Sequence, residues 1–449
     1  MKYRILFLAL TAALSASAQK LTLEQCQERA RQYNHELYDA ALEMEAATEQ
    51  KKEAFTKYFP RISANVMAFR MFDEMIQADG TYPQEIAALS TEFIPLIGTP
   101  FSVSEFNRAY AVSASLIQPL YYGGKIANTN RLARVKQDVT TLKQQLTEKD
   151  VVQKVTECYW QLACVRYNLR TIEAAEKQVE AVMEQVENFL KAGVTTRNSQ
   201  LKVRLRQQEL SSSRLKLENA DHVLRLLLAQ QIGIEPAEAD KGFDIVLEDK
   251  PVEQPIEARA ALSQAPDHRE ELQLMGKAVE AQKLQVKLQR SNYLPHLGVG
   301  LMGYHTGLGG FSENVKAYFH NNMTNGLVFG TLSIPVSDWW GGTHALRRQK
   351  VRLRQAQADY ANASQMLQID IERAWTNLQE AYKQTLIAEA SCAEAAENLR
   401  MSSEQYRMST CTLTDLLDAE TLNRQAQDKL SQAKATYQIA LADYRRKAQ

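Results

Sequence analysis

One seam recurs four times along this chain: a helix-like segment meets a strand-like one at a proline flanked by aromatic residues. Tyr58-Phe59-Pro60 and Tyr293-Leu294-Pro295 each close a long polar helical stretch. Pro119-Leu120-Tyr121-Tyr122-Gly123-Gly124 and Pro335-Val336-Ser337-Asp338-Trp339-Trp340-Gly341-Gly342 each open a longer one. Proline has no N–H to give a helix or a ladder, so it ends one element and starts the next. Paired glycines let the backbone turn sharply. Tyr and Trp join an apolar body to a polar tip, which suits a membrane–water boundary. Strands bracketed by such seams, in the same order twice, predict a barrel stacked on a helical tube.

The two copies span about 19–235 and 258–449, with a proline-punctuated linker at about 236–257. Each copy reads as helix, strand, loop, strand, very long helix, short turn and long return helix, the order of a duplicated fold. Strands are expected at about 60–72 and 107–119 in the first copy and at about 296–305 and 326–336 in the second. In the strand at 107–119, Tyr110, Val112, Ala114 and Leu116 alternate with the small Ala111, Ser113 and Ser115. The helical hairpins are expected at about 125–230 and 344–448. Neither Lys125–Leu190 nor His344–Met408 contains a proline or glycine, and at helical rise such a run reaches about 100 Å. Leu210, Leu217 and Leu224, and Leu430, Tyr437 and Tyr444, recur every seven residues, the spacing of coiled-coil packing.

Residues 1–18 carry a basic start, the apolar run Ile5 to Leu14 and an Ala-x-Ala end, the marks of a secretory signal peptide with Gln19 as first mature residue. Cys26 stands too far downstream to carry an N-terminal lipid. No second apolar stretch reaches transmembrane-helix length, so an exported chain of this kind is either soluble or spans a membrane as strands. Lys plus Arg and Asp plus Glu both number 53, a balance without the basic surplus that nucleic-acid binding requires. The five cysteines are odd in number and widely spaced, which argues against a disulfide framework.

Four strands cannot close a barrel, because two edges would remain open in lipid. Several chains must pool their strands, eight being about the smallest useful number.

In this duplicated order, in its leader, in Leu21-Thr22-Leu23-Glu24-Gln25-Cys26 opening the first helix, in the four seams and in Tyr406 through Ala419, the chain resembles the TolC-type outer-membrane efflux proteins. The resemblance covers essentially the whole mature chain. It implies a mainly α, α+β homotrimer. Three chains would build one 12-stranded barrel in the outer membrane, continued by a periplasmic helical coiled-coil barrel. The tube would dock on a periplasmic adaptor, a membrane fusion protein, that links it to an inner-membrane efflux pump or secretion transporter. It implies no cofactor and no catalysis.

The same resemblance assigns residues. Asp415 and Asp418 stand where relatives place acids that ring a narrow pore entrance, with Tyr406 and Asn198 beside them. Being three apart, the acids share a helix face, and the ring is expected to favour cations. Relatives carry a glycine three residues after the tyrosine and an arginine five after it. Here Ser409 and Cys411 occupy those places, which removes a salt-bridge lock on that arginine. Phe189, Gly193 and Asn198 stand at the matching places of the first hairpin. The tips Ala192, Gly193 and Val194, and Ser409, Thr410 and Cys411, are the expected adaptor contacts. Tyr58, Phe59, Tyr121, Tyr122, Tyr293, Trp339 and Trp340 are expected to form the inner membrane-interface girdle.

Enzyme signatures are missing: no His-Glu-x-x-His, no Gly-x-Ser-x-Gly, and no upstream glycine that would make Gly123-Gly124-Lys125 a phosphate loop. The rival reading from another class is a soluble periplasmic coiled-coil adaptor or scaffold, which would share the leader and a helical hairpin but need no duplicated strands.

Overall fold

A computed structural model describes residues 19–70, 108–235, 243–247, 251–255, 269–309 and 321–448. The expected leader, the loop expected at 73–106 and parts of the linker lie outside the described residues. The elements run β1 (Gln19–Leu21), α1 (Leu23–Tyr33), α2 (His35–Thr56), β2 (Arg61–Arg70), β3 (Arg108–Tyr122), α3 (Lys125–Lys191), α4 (Arg197–Gln231), β4 (Phe243–Ile245), α5 (Glu270–Ser291), β5 (His296–Gly309), β6 (Asn321–Ser333), α6 (Gly341–Arg407) and α7 (Leu413–Ala448). The duplication shows in lengths: α2 and α5 have 22 residues each, α3 and α6 have 67 each, and α4 and α7 have 35 and 36.

Two compact units emerge, and neither is a sequence half. Of the described residues, one draws on those within 19–47, 137–279 and 356–448, the other on those within 48–136 and 280–355. The first is helical, with three buried apolar clusters. One joins Leu21, Leu23 and Cys26 to Val151, Val155 and Tyr159 of α3, Leu228 of α4 and Phe243 of β4. There β1 and β4 pair in parallel, Gln19 opposite Phe243, and the Tyr159 hydroxyl donates to the Val246 carbonyl at 2.5 Å. A second packs Trp375 and Leu378 of α6 on Tyr437 and Tyr444 of α7, where the Tyr437 hydroxyl donates to the Glu253 carbonyl at 2.6 Å. One buried tyrosine from each repeat thus pins the segment between the repeats. Burying such side chains contributes about 1.5–3 kcal/mol each. The third cluster is described with the tips below.

The second unit holds a four-stranded antiparallel sheet in the order β2-β3-β5-β6. Side chains alternate between faces, so the register sorts them. Ile62, Leu116, Leu301 and Val328 line up on one face, as do Val66 and Val112; Asn65, Ser113, Tyr304 and Asn325 line up on the other. On that second face, which also carries Met67, Ile117, Met302 and Phe329, Ser63 and Ser115 hydroxyls meet at 2.9 Å. β3 runs beyond Pro119 to Tyr122 through a bulge between Pro119 and Tyr121, a place where a ladder tolerates proline. β5 continues past His305 to Gly309. Gly307 there marks a close approach rather than a turn, because a Cβ at this position would collide with the Tyr110 ring across the ladder.

Candidate functional site

The hairpin tips lie in the helical unit and share one construction. α3 stops when Gly193 enters the left-handed region (φ +74°). Its N–H reaches the Leu190 carbonyl at 3.1 Å, and the Val194 N–H reaches Phe189 at 2.9 Å. α6 stops identically: Ser409 (φ +59°) donates to Tyr406 at 3.0 Å and Thr410 to Gln405 at 2.9 Å. This is the Schellman closure of orphan carbonyls. Ala192, Gly193, Val194, Ser409 and Thr410 are all exposed, and Cys411 is half-buried. Burial, and then the charge of Asp415, push the Cys411 thiol up from its ordinary value.

Beneath the tips, four helices share one apolar cluster: Val179, Val182 and Val186 of α3, Val203 and Leu210 of α4, Leu399 and Tyr406 of α6, and Leu413, Leu416 and Ala419 of α7. Tyr406 is buried there with its ring 6.2 Å from Phe189, and among the described residues it makes no hydrogen bond to the exposed Asn198. Within the single chain the Tyr406 phenol lies inward among aliphatic side chains.

The two acids part company. Asp415 is the third residue of α7, and Thr412 caps the helix. The Thr412 N–H and hydroxyl donate to Asp415 Oδ2 at 3.1 and 2.6 Å, while the Asp415 N–H donates back to Thr412 Oγ1 at 3.2 Å. This reciprocal box satisfies orphan helix donors, and those bonds hold the Asp415 carboxyl below its usual range. Asp418 is exposed, with no hydrogen bond or ion pair found for it among the described residues.

Sequence reasoning missed the pair that ties α4 to α7. Arg206 Nε donates to Glu420 Oε2 at 2.8 Å and Nη2 stands 2.7 Å from the same oxygen. Arg206 and Glu420 are only 8% and 3% exposed, and Glu420 Oε1 finds no hydrogen bond. A signal was present: Arg206 interrupts the apolar stripe Val203–Leu210, and Glu420 falls one turn after Leu416 on the face of α7 that buries Leu413 and Leu416. Nearby, Lys202 Nζ donates to Thr414 Oγ1 at 3.0 Å.

The seam aromatics belong to the sheet-bearing unit, at the sheet's helix-side end. Tyr122 stacks on His296 at 4.9 Å, and Tyr58 and Phe59 edge onto Phe55 at 5.8 and 5.5 Å. Tyr121 and Tyr293 are exposed too, and Tyr293 Oη accepts from Gln289 Nε2 at 2.9 Å. Trp339 and Trp340 are 83% and 72% exposed. The sharp turn is carried differently in the two copies. Gly123 and Gly124 take positive φ in the first, whereas Trp339 and Trp340 do so in the second (φ +52° and +67°). Gly341 and Gly342 instead begin α6, and a Cβ on Gly342 would strike the Tyr293 ring.

No group of metal-binding side chains occurs among the described residues, and no described helix is long and apolar enough to cross a membrane. Comparison with curated proteins finds no match. Among solved structures, the chain is similar to the outer membrane protein VceC of Vibrio cholerae (15% identity, TM-score 0.74, covering 95% of each chain). It is also similar to the Campylobacter jejuni CmeC outer membrane channel (15% identity, TM-score 0.77, 98% of this chain and 90% of that one). A third is the open state of the Neisseria gonorrhoeae MtrE outer membrane channel (16% identity, TM-score 0.69, 98% and 93%). At these identities the likeness is one of fold. The family model described as outer membrane efflux protein matches residues 27–230 and 261–446, both repeats and most of the chain. The chain belongs to the outer membrane efflux protein family, whose members are channels of the outer membrane and not enzymes.

Proposed function

We propose that this chain is the passive exit duct of a tripartite efflux or type I secretion system. Three copies pool their strands into one outer-membrane barrel and their long helices into a periplasmic conduit. An inner-membrane pump supplies the energy, and a periplasmic adaptor joins it to the exposed tips around Gly193 and Ser409. The observation that carries this reading is the sheet itself. Among the described residues β2 and β6 have unpaired outer edges, and Ile62, Val66 and Val328 stand exposed on the same face. A lipid-exposed edge leaves backbone groups unsatisfied, so closure needs further strands, and three chains give about twelve, enough for an open bore. The face bearing Ile62, Val66 and Val328 then meets lipid, the Asn65–Ser113–Asn325 face lines the bore, and the seam aromatics form the inner girdle. Asp418, exposed and unengaged, is the acid available to the entrance ring, while Asp415 is committed to its helix cap.

The test is the native mass of the detergent-extracted protein before and after heating. A trimer that dissociates only on heating, and that conducts in a planar bilayer, supports the duct. A monomer released without detergent overturns it.

A further inference from the structure

The zero net charge of the sequence conceals a strong segregation. The four helix ends that join the sheet, residues 48–57, 125–136, 280–291 and 341–355, carry 15 Lys and Arg against three Asp and Glu. These ends lie together in one unit. Asn130 Nδ2 of α3 donates to the Ala54 carbonyl of α2 at 2.8 Å, Lys125 Nζ to Asn292 Oδ1 at 3.1 Å, and Gln282 Nε2 of α5 to Gln349 Oε1 of α6 at 2.9 Å. The densest run is Arg347, Arg348, Lys350, Arg352 and Arg354 on α6, all exposed. None of these five, nor Arg131, Arg134, Lys283 or Lys287, has an ion pair among the described residues.

Such a collar is unfavourable by itself. Arg347–Lys350, Arg348–Arg352 and Lys350–Arg354 are like-charge neighbours at helical spacing, which destabilises a helix. The first turns of α3 and α6 also carry no acid, although a helix start favours negative charge. The positive ends of both helix dipoles therefore add to the collar. The chemistry that balances it is a layer of anions, and its position says which. Arg347 and Arg348 follow the exposed Trp339–Trp340 seam by about eight residues, or about 12 Å of helix, and the polar headgroup layer on each side of a bilayer is about 5–8 Å deep. Long basic side chains reach back over that gap toward an interface.

We propose that this collar binds the phosphodiester headgroups of anionic phospholipids at the helix-side surface of the outer membrane, and so sets how deeply the aromatic seam sits. The inference rests on the sheet crossing that membrane. The collar's polarity, Trp followed by Arg and Lys, is that of an interfacial anchor reading an anionic surface.

The test reconstitutes the full-length protein into vesicles of phosphatidylcholine and phosphatidylglycerol in about a two-to-one ratio. The protein is then re-extracted in mild detergent and its retained lipid quantified. The wild type is expected to retain phosphatidylglycerol at least about twofold above the bulk ratio, falling to bulk at about 0.5 M salt, where screening shortens to about 4 Å. The variant combining Arg347→Gln, Arg348→Gln, Lys350→Gln and Arg352→Gln is expected to lose the enrichment while keeping its oligomeric mass. A second variant, Arg131→Gln with Arg134→Gln, reads the same ratio without touching α6 and is expected to lower it. Retention at the bulk ratio by the wild type, or undiminished enrichment in both variants, overturns the proposal while leaving the duct intact. Failure of every form to retain either lipid would instead overturn the membrane-spanning reading, and the collar's role with it.

Discussion

Arg206 and Glu420 are the residues whose removal the tips should feel most. Truncating Arg206 strands the Glu420 carboxylate in an apolar cluster, at about 3–5 kcal/mol, whereas Arg206 without Glu420 keeps its ion pair with Glu209 at 3.0 Å. Arg206→Leu is accordingly expected to lower the unfolding free energy by that amount, whereas the double change Arg206→Leu with Glu420→Leu should recover most of it. Equal losses in the single and double variants would show that packing rather than charge is at stake. Asp415 gives a pH signature. Its folded-state carboxyl lies below the ordinary value, so its contribution is fully present above the unfolded-state pKa of about 3.9 and is lost as pH falls through the lower folded-state value. Amide protection relative to the intrinsic exchange rate should therefore fall at the start of α7 on acidification below about pH 4, and Asp415→Asn should abolish that dependence.

Among elements, the seams were the most legible and also the most instructive where they differed. Gly123-Gly124 reads as a sharp turn and is one. Gly341-Gly342 reads the same way, yet the adjacent tryptophans take the left-handed backbone and the glycines serve packing. Nothing local distinguishes the two, since each glycine pair permits either role; the Tyr293 ring from a distant strand-helix junction decides. Gly123→Ala tests how tightly the first seam is built. Its Cβ would stand 2.7 Å from the Ser291 carbonyl oxygen and 2.8 Å from Leu294 Cβ, at φ +59°. The expected loss is about 3 kcal/mol or more, with reduced trimer yield in detergent as the readout. Gly124→Ala, with its nearest neighbour at 3.5 Å, should cost only the backbone strain of about 1–2 kcal/mol.

At the scale of the whole molecule, the ring proposed for the entrance belongs to an assembly rather than to one chain. Asp418→Asn is expected to reduce the cation preference of single channels in a planar bilayer several-fold, while Asp415→Asn should change it less, because that carboxylate is engaged by Thr412. The reverse order would place the ring at Asp415. Duplication, unbroken helices, alternating strands and the order of seams were determined by the sequence alone, because each is a local consequence of proline, glycine and hydrophobic period. Three matters were decided only by the tertiary structure: the burial of Tyr406 away from Asn198, the Arg206–Glu420 contact 214 residues apart, and the gathering of basic helix ends from both repeats. Each depends on which distant segments become neighbours, and a charge or a phenol acquires its meaning only when the groups facing it are known.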